Sequence, residues 1–472
     1  MHATDIIYLY NRHFRQSYMP FFLPDCHGLY AVGATTFVTP VRPSRIYGTA
    51  KLPNGQPALC LDEVAFTAYY PSNRDDKSWK SRRGIDWLNR PLNETWRGFV
   101  SFAQSFPAWL LWPFVFLYGA FIKVPVYHNA PLLRTKQWPL VIFSHGLGGS
   151  RTAYSQICSR IAASGRVVLA VEHRDGTAPA CITREWSTDG TRTLRVVRYL
   201  QEKDVRWEQE PSSDSLYPLR RDQLMLRKHE VYLAHSVFSS LIRKDENLLL
   251  ETIDGTAIDW DSWWAREDEA ETVQCMENIT LAGHSFGGCT IFHILSTEHP
   301  EWAAPIPVTN TLIFDPWLDP LPFPSPGRPS EDPKVICFED AMKRKISLPR
   351  LLVINSEKFT LWKEHFERLE NIVRSWGADG SLLTLVRARH ESFSDFPLLP
   401  LVRDKSNLGF MNTIERLSNA FLDNQLNETL NTELTTKMGI EIVGKRKDGR
   451  PKRQIKGGLG NIVVHQVCHF AN

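Results

Sequence analysis

The sequence GHSFGG at residues 283–288 decides the fold of this chain. The apolar run Ile279–Ala282 precedes it and predicts a buried strand, and the run Cys289–Leu295 follows it and predicts a helix. A G-x-S-x-G sequence between a strand and a helix is typical of a nucleophile elbow, a sharp turn that lifts a serine hydroxyl above the edge of a sheet. The pattern therefore predicts that Ser285 is a nucleophile.

Two glycines of this turn are predicted to order the site, and one backbone amide is predicted to donate to an oxyanion. Side chains two residues before and after the serine would collide with the neighbouring strand and helix, so glycine is needed at Gly283 and Gly287. The turn also aims the N–H group of Phe286 at the place where an oxyanion would form. A chance match in a glycine-containing turn is the alternative, and the strand before and the helix after argue against it.

Short apolar strands alternate with helical segments on both sides of the elbow. Strands are predicted at 139–143, 166–171 and 351–355, and a helix over about 150–163 follows the first of them. With the elbow, this alternation predicts an α/β-hydrolase fold: a mostly parallel central sheet, right-handed crossovers, helices on both faces and lid insertions. Candidate antiparallel strands within 29–70 open the sheet.

The chain of 472 residues is long enough for one large domain with insertions or for two domains. We expect a single domain over 1–430 that carries an insertion at about 176–270, with a helix near 217–245. Seven basic residues and one acidic residue lie within 445–456, which marks 431–472 as a basic C-terminal tail. The alternatives for this tail are a solvated disordered segment, a contact with an anionic membrane surface and a nuclear import signal.

A serine hydroxyl needs a base within hydrogen-bond reach and an acid that fixes the tautomer of the base. In α/β-hydrolases the acid and then the histidine follow the serine along the chain. Asp315 ends the next predicted strand after Ser285, and His390 follows the last predicted strand. These three residues form the predicted catalytic triad, and Asp319 and Asp395 are the less favoured alternatives for the acid.

A second oxyanion donor is expected from the sequence HGLGG at 145–149, which follows an apolar strand. Glycines there let the backbone turn its N–H groups inward, as in the HGGG-type loops of lipases and esterases. An ordinary strand-to-helix turn is the alternative. We expect His145, and His173 at the end of another strand, to order these loops and not to act as bases.

Charge and cysteine usage exclude several classes of function. The net charge of +3 is close to balanced, so no nucleic-acid partner is expected. The eight cysteines form no C-x-x-C pair or Cys/His cluster, so neither a metal nor a cofactor is expected, and free thiols favour a reducing compartment. The N-terminus lacks the layout of a signal peptide, and His2 stands where N-myristoylation needs glycine, which predicts a cytoplasmic protein.

An aromatic stretch over 98–122 is the strongest candidate for contact with lipid. It holds six Phe, two Trp and one Tyr, and no charged residue lies between Arg97 and Lys123. The alternatives are a cap packed on the core, a hairpin lying in a membrane interface and a membrane span. Pro107 and Pro113 interrupt the helix that a span requires, so the interfacial alternative ranks slightly above the cap and the span well below both.

Five blocks of the sequence resemble the platelet-activating factor acetylhydrolase family in their order and spacing. They are FSHGLG at 143–148, EHRD at 172–175, GHSFGG at 283–288, DPW at 315–317 and HESFSDF at 390–396. YYPS at 69–72 is also similar, and the resemblance covers about residues 28 to 400. The insertion and the basic tail lie outside it.

The resemblance implies a calcium-independent phospholipase on the α/β-hydrolase fold, which removes a short or oxidised sn-2 acyl group from phospholipids such as platelet-activating factor through an acyl-enzyme. It implies Ser285 as the nucleophile with Asp315 and His390 as its partners, and the N–H groups of Leu147 and Phe286 as the oxyanion hole. It also implies a phospholipid substrate met at the surface of a membrane or lipid particle. The expected absence of secretion and myristoylation signals departs from the plasma and intracellular members of the family.

Two other functions remain open at this point. One is a general carboxylesterase or polyester hydrolase on the same fold. The other is a non-catalytic lipid-binding relative, against which the intact serine, aspartate and histidine argue. The oligomeric state is left open by the sequence.

Overall fold

The computed structural model describes residues 21–72, 83–103, 118–186, 192–208, 216–265, 270–321 and 348–466. The strands of these ranges are β1 Phe21–Phe22, β2 Ala31–Ile46, β3 Ala50–Lys51, β4 Cys60–Ser72, β5 Arg83–Asp86, β6 Ile122–His128, β7 Trp138–Ser144, β8 Val167–Glu172, β9 Ala180–Trp186, β10 Arg192–Arg198, β11 Arg206–Trp207, β12 Glu251–Thr252, β13 Val273–Gln274, β14 Ile279–His284, β15 Val308–Phe314, β16 Arg350–Ser356, β17 Gly380–Leu385, β18 Thr435–Thr436, β19 Ile440–Lys445, β20 Pro451–Ile455 and β21 Ile462–His465. The α-helices are α1 Leu92–Ala103, α2 Ser155–Ala163, α3 Pro218–Ile242, α4 Phe286–Ser296, α5 Glu357–Thr360, α6 Lys363–Ser375, α7 Lys405–Leu422 and α8 Leu426–Thr432.

Six neighbouring strands form the parallel centre of the main sheet, in the order β8-β7-β14-β15-β16-β17. On one side β4 pairs antiparallel with β8, and β2 pairs antiparallel with β4. On the other side β21 pairs antiparallel with β17. The predicted mostly parallel sheet is confirmed, and so are the antiparallel strands that open it.

Alternate residues of the central strands face two different hydrophobic clusters, as the two-residue period of a strand dictates. In β7, Leu140 and Ile142 belong to the first cluster, whereas Val141 and Phe143 belong to the second. Helices α3, α4 and α6 pack on the first cluster, and α2 and α7 pack on the second. Helices therefore cover both faces of the sheet, which confirms the predicted fold class.

The segment predicted as an insertion at about 176–270 contributes to the core. In its described part, β9 and β10 form an antiparallel hairpin, and α3 confirms the helix predicted near 217–245. Leu224, Val231 and Phe238 of α3 are fully buried in the first cluster. The bounds of the insertion and of the single domain over 1–430 stay predictions.

Residues of the predicted basic tail join the main sheet. β21 pairs with β17 and β18 pairs with β21, while β19 and β20 form an antiparallel hairpin. The guanidinium of Arg387 holds the base of this hairpin by donating to the carbonyl oxygens of Ile455 at 2.6 Å and Gly457 at 3.2 Å. A solvated disordered segment, one of the alternatives for the tail, therefore does not describe residues 435–465.

The aromatic stretch predicted over 98–122 lies largely outside the described residues, because 104–117 are not among them. Its start belongs to α1, where Phe99 packs against the second cluster and Phe102 is 42% exposed. In the ranges that the structure describes, no helix is long and apolar enough to cross a membrane. The choice between an interfacial hairpin and a cap stays a prediction.

Candidate active site

Ser285 occupies a strained turn between β14 and α4. Its φ is 55° and its ψ is −119°, and a positive φ is uncommon for a residue with a side chain. Two hydrogen bonds hold this conformation: its N–H donates to the carbonyl of Phe314 at 3.0 Å, and its carbonyl accepts from the N–H of Trp317 at 3.1 Å. The strand, turn and helix of the elbow thus lie where the sequence pattern predicts them.

Gly283 and Gly287 leave no room for side chains. A Cβ atom on Gly283 would lie 2.5 Å from the carbonyl oxygen of Gly287, and one on Gly287 would overlap the carbonyl oxygen of Ser144. These obstacles are backbone atoms, which cannot move aside as the end of a flexible side chain can. A larger residue at either position would force α4 away from β7 or β14, so both glycines order the turn sterically.

His390 lies between Ser285 and Asp315 and is hydrogen-bonded to both. Its Nε2 is 2.9 Å from Ser285 Oγ, and its Nδ1 is 3.0 Å from Asp315 Oδ2. Asp315 is fully buried, and its Oδ1 accepts from the N–H of Ser356 at 2.6 Å. With the Nδ1 proton directed to the carboxylate, Nε2 is free to accept the proton of the serine hydroxyl.

The alternative acids, Asp319 and Asp395, have other partners. Asp319 accepts from the indole N–H of Trp317 at 3.1 Å. Asp395 is fully buried and accepts from the backbone N–H groups of Ser155 and Gln156 at the start of α2, each at 3.0 Å. Burial raises the pKa of Asp395 to about 6, although these hydrogen bonds act in the opposite direction. Neither carboxylate is bonded to His390 in the described part of the chain.

The loop after β7, residues 145–149, packs directly on Ser285 and is called the oxyanion loop after the role predicted for it. A Cβ atom on Gly146 would lie 2.9 Å from the Cβ of Ser285, so only glycine allows this approach. The N–H of Gly148 is already used, because it donates to the carbonyl of Thr177 at 2.8 Å.

The two predicted oxyanion donors are both available. Phe286 is the first residue of α4, so its N–H has no partner within the helix. The N–H of Leu147 likewise has no acceptor among the described residues. Leu147 lies in the loop that packs on Ser285, and Phe286 follows Ser285 directly. Both amides therefore fit the predicted role, which stays a prediction.

Tyr154 supports the oxyanion loop and was not found from the sequence. Its hydroxyl accepts from the N–H of Gly146 at 3.2 Å and is 2.8 Å from Nδ1 of His284. Burial lowers the pKa of His284 well below its usual value, so the ring is neutral and its Nδ1 accepts from Tyr154. The ring of His284 lies 4.5 Å from that of His390, centroid to centroid, so this bond also positions the histidine pair.

Arg227 of α3 ties the insertion to the same loop. Its side chain is fully buried and donates to Asp175 Oδ2 and to the carbonyl oxygen of His145, each at 2.7 Å. The guanidinium carbon also lies 4.5 Å from the ring centroid of Phe286. The Arg227 cation thus contacts both the elbow and the oxyanion loop. The sequence did not predict these contacts, because the partners of Arg227 lie on other elements.

His145 is hydrogen-bonded within this loop and to the strand end of β8, which fits its predicted role in ordering the loop; that role stays a prediction. Its Nδ1 donates to the carbonyl of Gly146 at 2.9 Å, and its Nε2 accepts from the N–H of His173 at 3.1 Å. Burial, reinforced by the nearby Arg227 cation, lowers the pKa of His145 to about 4. Its ring is therefore neutral at pH 7, and both nitrogens are committed to the backbone.

One group of possible metal ligands occurs in the ranges that the structure describes. The ligand atoms of His284, Asp315 and His390 lie within 4.8 Å of one another. Hydrogen bonds already join Asp315 to His390 and His284 to Tyr154. These hydrogen bonds already engage the three side chains, and independence from metal stays a prediction.

Comparison with known proteins gives a family match over most of the chain. A family model described as "Platelet-activating factor acetylhydrolase, isoform II" matches residues 22–427. The platelet-activating factor acetylhydrolase of Canis lupus familiaris is 28% identical over 330 residues, 70% of this chain and 62% of that protein. The chain thus spans less than two thirds of the length of that relative. A putative phospholipase A2 of Schizosaccharomyces pombe is 28% identical over 271 residues, 55% of this chain and 58% of that protein.

A solved structure supports the fold independently of sequence. The ferulic acid esterase from Streptomyces cinnamoneus superposes with a TM-score of 0.51 over 87% of this chain and 94% of that one, at 14% sequence identity. The shared architecture is the α/β-hydrolase fold. The region matched by the family model contains the elbow, the oxyanion loop, Asp315 and His390. This chain therefore belongs to the platelet-activating factor acetylhydrolase family.

Proposed function

We propose that the chain is a serine hydrolase that removes a short or oxidised acyl group, such as acetyl, from the sn-2 position of a phospholipid such as platelet-activating factor. The observation that carries the proposal is the chain of hydrogen bonds from Ser285 through His390 to Asp315. Family membership supports the substrate class.

His390 acts as the base in the first half of the reaction. Its Nε2 takes the proton of the Ser285 hydroxyl as Oγ attacks the ester carbonyl carbon, and Asp315 stabilises the imidazolium through Nδ1–H. The N–H groups of Leu147 and Phe286 donate to the oxyanion of the tetrahedral intermediate. Collapse of the intermediate breaks the bond to the lysophospholipid oxygen, which leaves with the proton from Nε2, and the acyl group stays on Ser285.

Water completes the reaction. His390 Nε2 takes a proton from a water molecule as the water oxygen attacks the acyl carbon. The oxyanion of this second tetrahedral intermediate accepts hydrogen bonds from the same two N–H groups. Collapse releases the carboxylic acid and returns the proton to Ser285 Oγ. His390 carries every proton and the two N–H groups stabilise the oxyanion, so none of these steps uses a metal ion. The proposal therefore includes independence from calcium.

The substrate resides in a bilayer or lipid particle, so we expect peripheral association with such a surface. The exposed ring of Phe102 supports an apolar rim near the site, because a Cβ atom on Gly148 of the oxyanion loop would lie 3.0 Å from it. Six cysteines lie in the described ranges and none of them is in a disulfide bond, which supports a reducing compartment such as the cytoplasm.

Release of acetate from a 1-alkyl-2-acetyl-glycerophosphocholine tests the proposal. The purified chain is compared on this lipid, on a phosphatidylcholine with two long acyl chains, and on p-nitrophenyl acetate. We expect turnover of the acetyl lipid and the nitrophenyl ester, and little turnover of the long-chain lipid. Turnover of the nitrophenyl ester alone would favour a general carboxylesterase, and turnover of none would favour a non-catalytic lipid-binding protein.

A further inference from the structure

A cleft of about 1460 Å³ lies beside His390. Arg389 and Ser392, which flank His390 in the chain, line this cleft, and so does Phe359. The ring of Phe359 stacks on the imidazole of His390, with an interplanar angle of 3° and centroids 4.4 Å apart. The cleft therefore adjoins the proposed catalytic histidine through a direct ring contact.

The hairpin β19–β20 adds a concentration of positive charge to the lining of this cleft. Its lining cations are Lys445, Arg446, Lys447, Lys452 and Arg453. All five are exposed, and none of them has a carboxylate within ion-pair distance in the described part of the chain. The hairpin thus presents five exposed cations that have no ion-pair partner among the described residues, since its own Glu441 and Asp448 pair with Arg387 and Arg450.

Two carboxylates line the cleft against eight Lys and Arg side chains, so they do not neutralise it, and both carboxylates also have structural partners. Glu357 Oε2 accepts from the backbone N–H and the guanidinium of Arg387 at 2.7 Å and 2.8 Å, and its Oε1 accepts from the N–H of Ile455 at 3.2 Å. Asp404 accepts from the N–H of Asn407 at 2.8 Å, at the start of α7. The cleft therefore keeps a positive excess that an anionic ligand would complement.

Apolar side chains are exposed on the same hairpin. Ile442 is 68% exposed and Val443 is 45% exposed, and Ile442 lies directly across the hairpin from Arg453. Exposed apolar residues among cations are typical of segments that bind a lipid interface, where the apolar groups enter the head-group boundary and the cations meet phosphates. A surface that binds only the phosphates of a nucleic acid does not require exposed apolar side chains.

The hairpin is fixed in place next to the site. Arg387, which bonds its base, lies three residues before His390, and β21 continues the main sheet beyond it. The hairpin also lies outside the region that the family model matches, 22–427, so the match says nothing about its role.

We propose that the hairpin β19–β20 binds the surface of a bilayer or lipid particle through anionic phospholipid head groups, and so holds the mouth of the site against that surface. The surface that the hairpin binds is also the one that holds the phospholipid substrate of the proposed function. Only the expected effect on phospholipid turnover rests on that function. The binding itself needs no chemistry at Ser285.

Co-sedimentation with vesicles tests the binding. The full chain is mixed with vesicles of dioleoyl phosphatidylcholine, either pure or with 30% phosphatidylserine. Each mixture is measured at 50, 150 and 500 mM NaCl. We expect binding that requires phosphatidylserine and weakens with salt, because exposed charges are screened. The triple variant Lys445→Gln, Arg446→Gln and Lys447→Gln should lose about fivefold in partition coefficient per cation, or roughly 100-fold in all.

A control variant and a second hairpin variant distinguish the effect of the hairpin from the effect of the protein's net charge. Lys203→Gln, Arg206→Gln and Arg243→Gln removes three exposed cations from other elements and should change binding little. Lys452→Gln with Arg453→Gln removes two cations from the second strand of the hairpin and should weaken binding about 25-fold. Equal losses in the control triple variant, or no loss in either hairpin variant, would overturn the proposal.

Two further measurements identify the ligand, and an esterase assay checks that the variants fold. Binding of an RNA or DNA duplex in place of the vesicles would contradict the proposal, and so would full displacement from vesicles by millimolar inorganic phosphate, which would indicate a small-anion pocket. Hydrolysis of p-nitrophenyl acetate should be unchanged in both hairpin variants, which shows that they fold. Absence of esterase activity with intact vesicle binding would contradict only the proposed function, whereas intact esterase activity without binding to phosphatidylserine would contradict only the role of the hairpin.

Discussion

His390 Nε2 lies 2.9 Å from Ser285 Oγ, although 105 residues separate the two along the chain. The strand ends of one parallel sheet bring them together, since Ser285 follows β14 and His390 follows β17. Asp315 follows β15, which lies between β14 and β16 in the sheet, and it completes the set. The carboxyl ends of parallel strands meet at one edge of a sheet, and this edge is where such folds build their sites.

Asp315→Asn should lower kcat on the acetyl phospholipid on the order of 10⁴-fold, because an amide cannot hold the His390 tautomer that accepts the serine proton. Asp319→Asn is the matched control and should stay close to wild type, since Asp319 bonds Trp317. Steady-state kinetics of both variants measure this difference. A large loss in Asp319→Asn with normal activity in Asp315→Asn would move the acid to Asp319.

Tyr154→Phe should reduce kcat roughly tenfold and leave KM nearly unchanged. The substitution leaves the buried N–H of Gly146 without its acceptor, a loss of about 1–3 kcal/mol, and so loosens the oxyanion loop. Tyr69→Phe removes another buried hydroxyl from the same hydrophobic cluster and should lower the melting temperature without changing kcat. Equal kcat losses in the two variants would show that Tyr154 has only a structural role.

The free energy of unfolding should fall as the pH drops from about 6.5 to about 4. Burial lowers the folded-state pKa of His145 to about 4 and that of His293 to about 3, so below pH 6.5 the unfolded chain binds protons that the folded chain cannot. Each such histidine lowers stability by about 1.4 kcal/mol per pH unit in this window. Carboxyl groups with a raised pKa, such as Asp222 and Asp395 at about 6, act in the opposite sense between about pH 4 and 6. In the described part of the chain they are fewer than the histidines whose pKa is lowered by burial. Guanidinium denaturation at pH 7.5, 6.5, 5.5 and 4.5 measures the slope, and a stability independent of pH in this range would contradict the expected result.

His293→Leu should stabilise the protein and make that pH dependence shallower. Both ring nitrogens of His293 are buried without a hydrogen-bond partner in the described part of the chain, which costs about 1–3 kcal/mol. The exposed His299 is the matched control, and His299→Leu should leave the stability close to that of the wild type. A destabilised His293→Leu protein would indicate that the ring has a partner, such as an ordered water molecule.

Excess EDTA should leave turnover of the acetyl phospholipid unchanged. The proposed reaction moves each proton through His390, whose two nitrogens are engaged by Ser285 and Asp315. Initial rates with and without EDTA, followed by added calcium, check this point. Strong inhibition that calcium reverses would require a metal-dependent step.

The parts of the fold that follow from periodicity and local chemistry were predictable from the sequence. The elbow at Ser285 needs a strand, two glycines and a helix in immediate succession, and all of them are visible in a dozen residues. The parallel strands are apolar because both of their faces are covered, so they stand out from the polar connections. Asp315 and His390 could be chosen because each follows a predicted strand, in the chain order that the chemistry requires.

The supporting interactions could not be predicted because they join residues that are distant in sequence. Tyr154 meets His284 across 130 residues, and Arg227 meets the carbonyl of His145 across 82. Nothing in the local pattern of either residue indicates its partner. The strands β18 and β21 were missed for a different reason: they have two and four residues, too few to show a period, and they lie on either side of the cations of the predicted tail.

Trapping the acyl-enzyme tests the central claim most directly. The chain is mixed with excess 2-acetyl phospholipid, quenched in acid within the first turnovers and digested, and the peptide that contains Ser285 is examined by mass spectrometry beside the Ser285→Ala variant. We predict an added acetyl group on Ser285 in the wild type, and in the variant no acetylated peptide, an unchanged melting temperature and a loss of activity on the order of 10⁴-fold or more. Acetylation of a different residue, or a Ser285→Ala variant that retains most of the activity, would contradict the account.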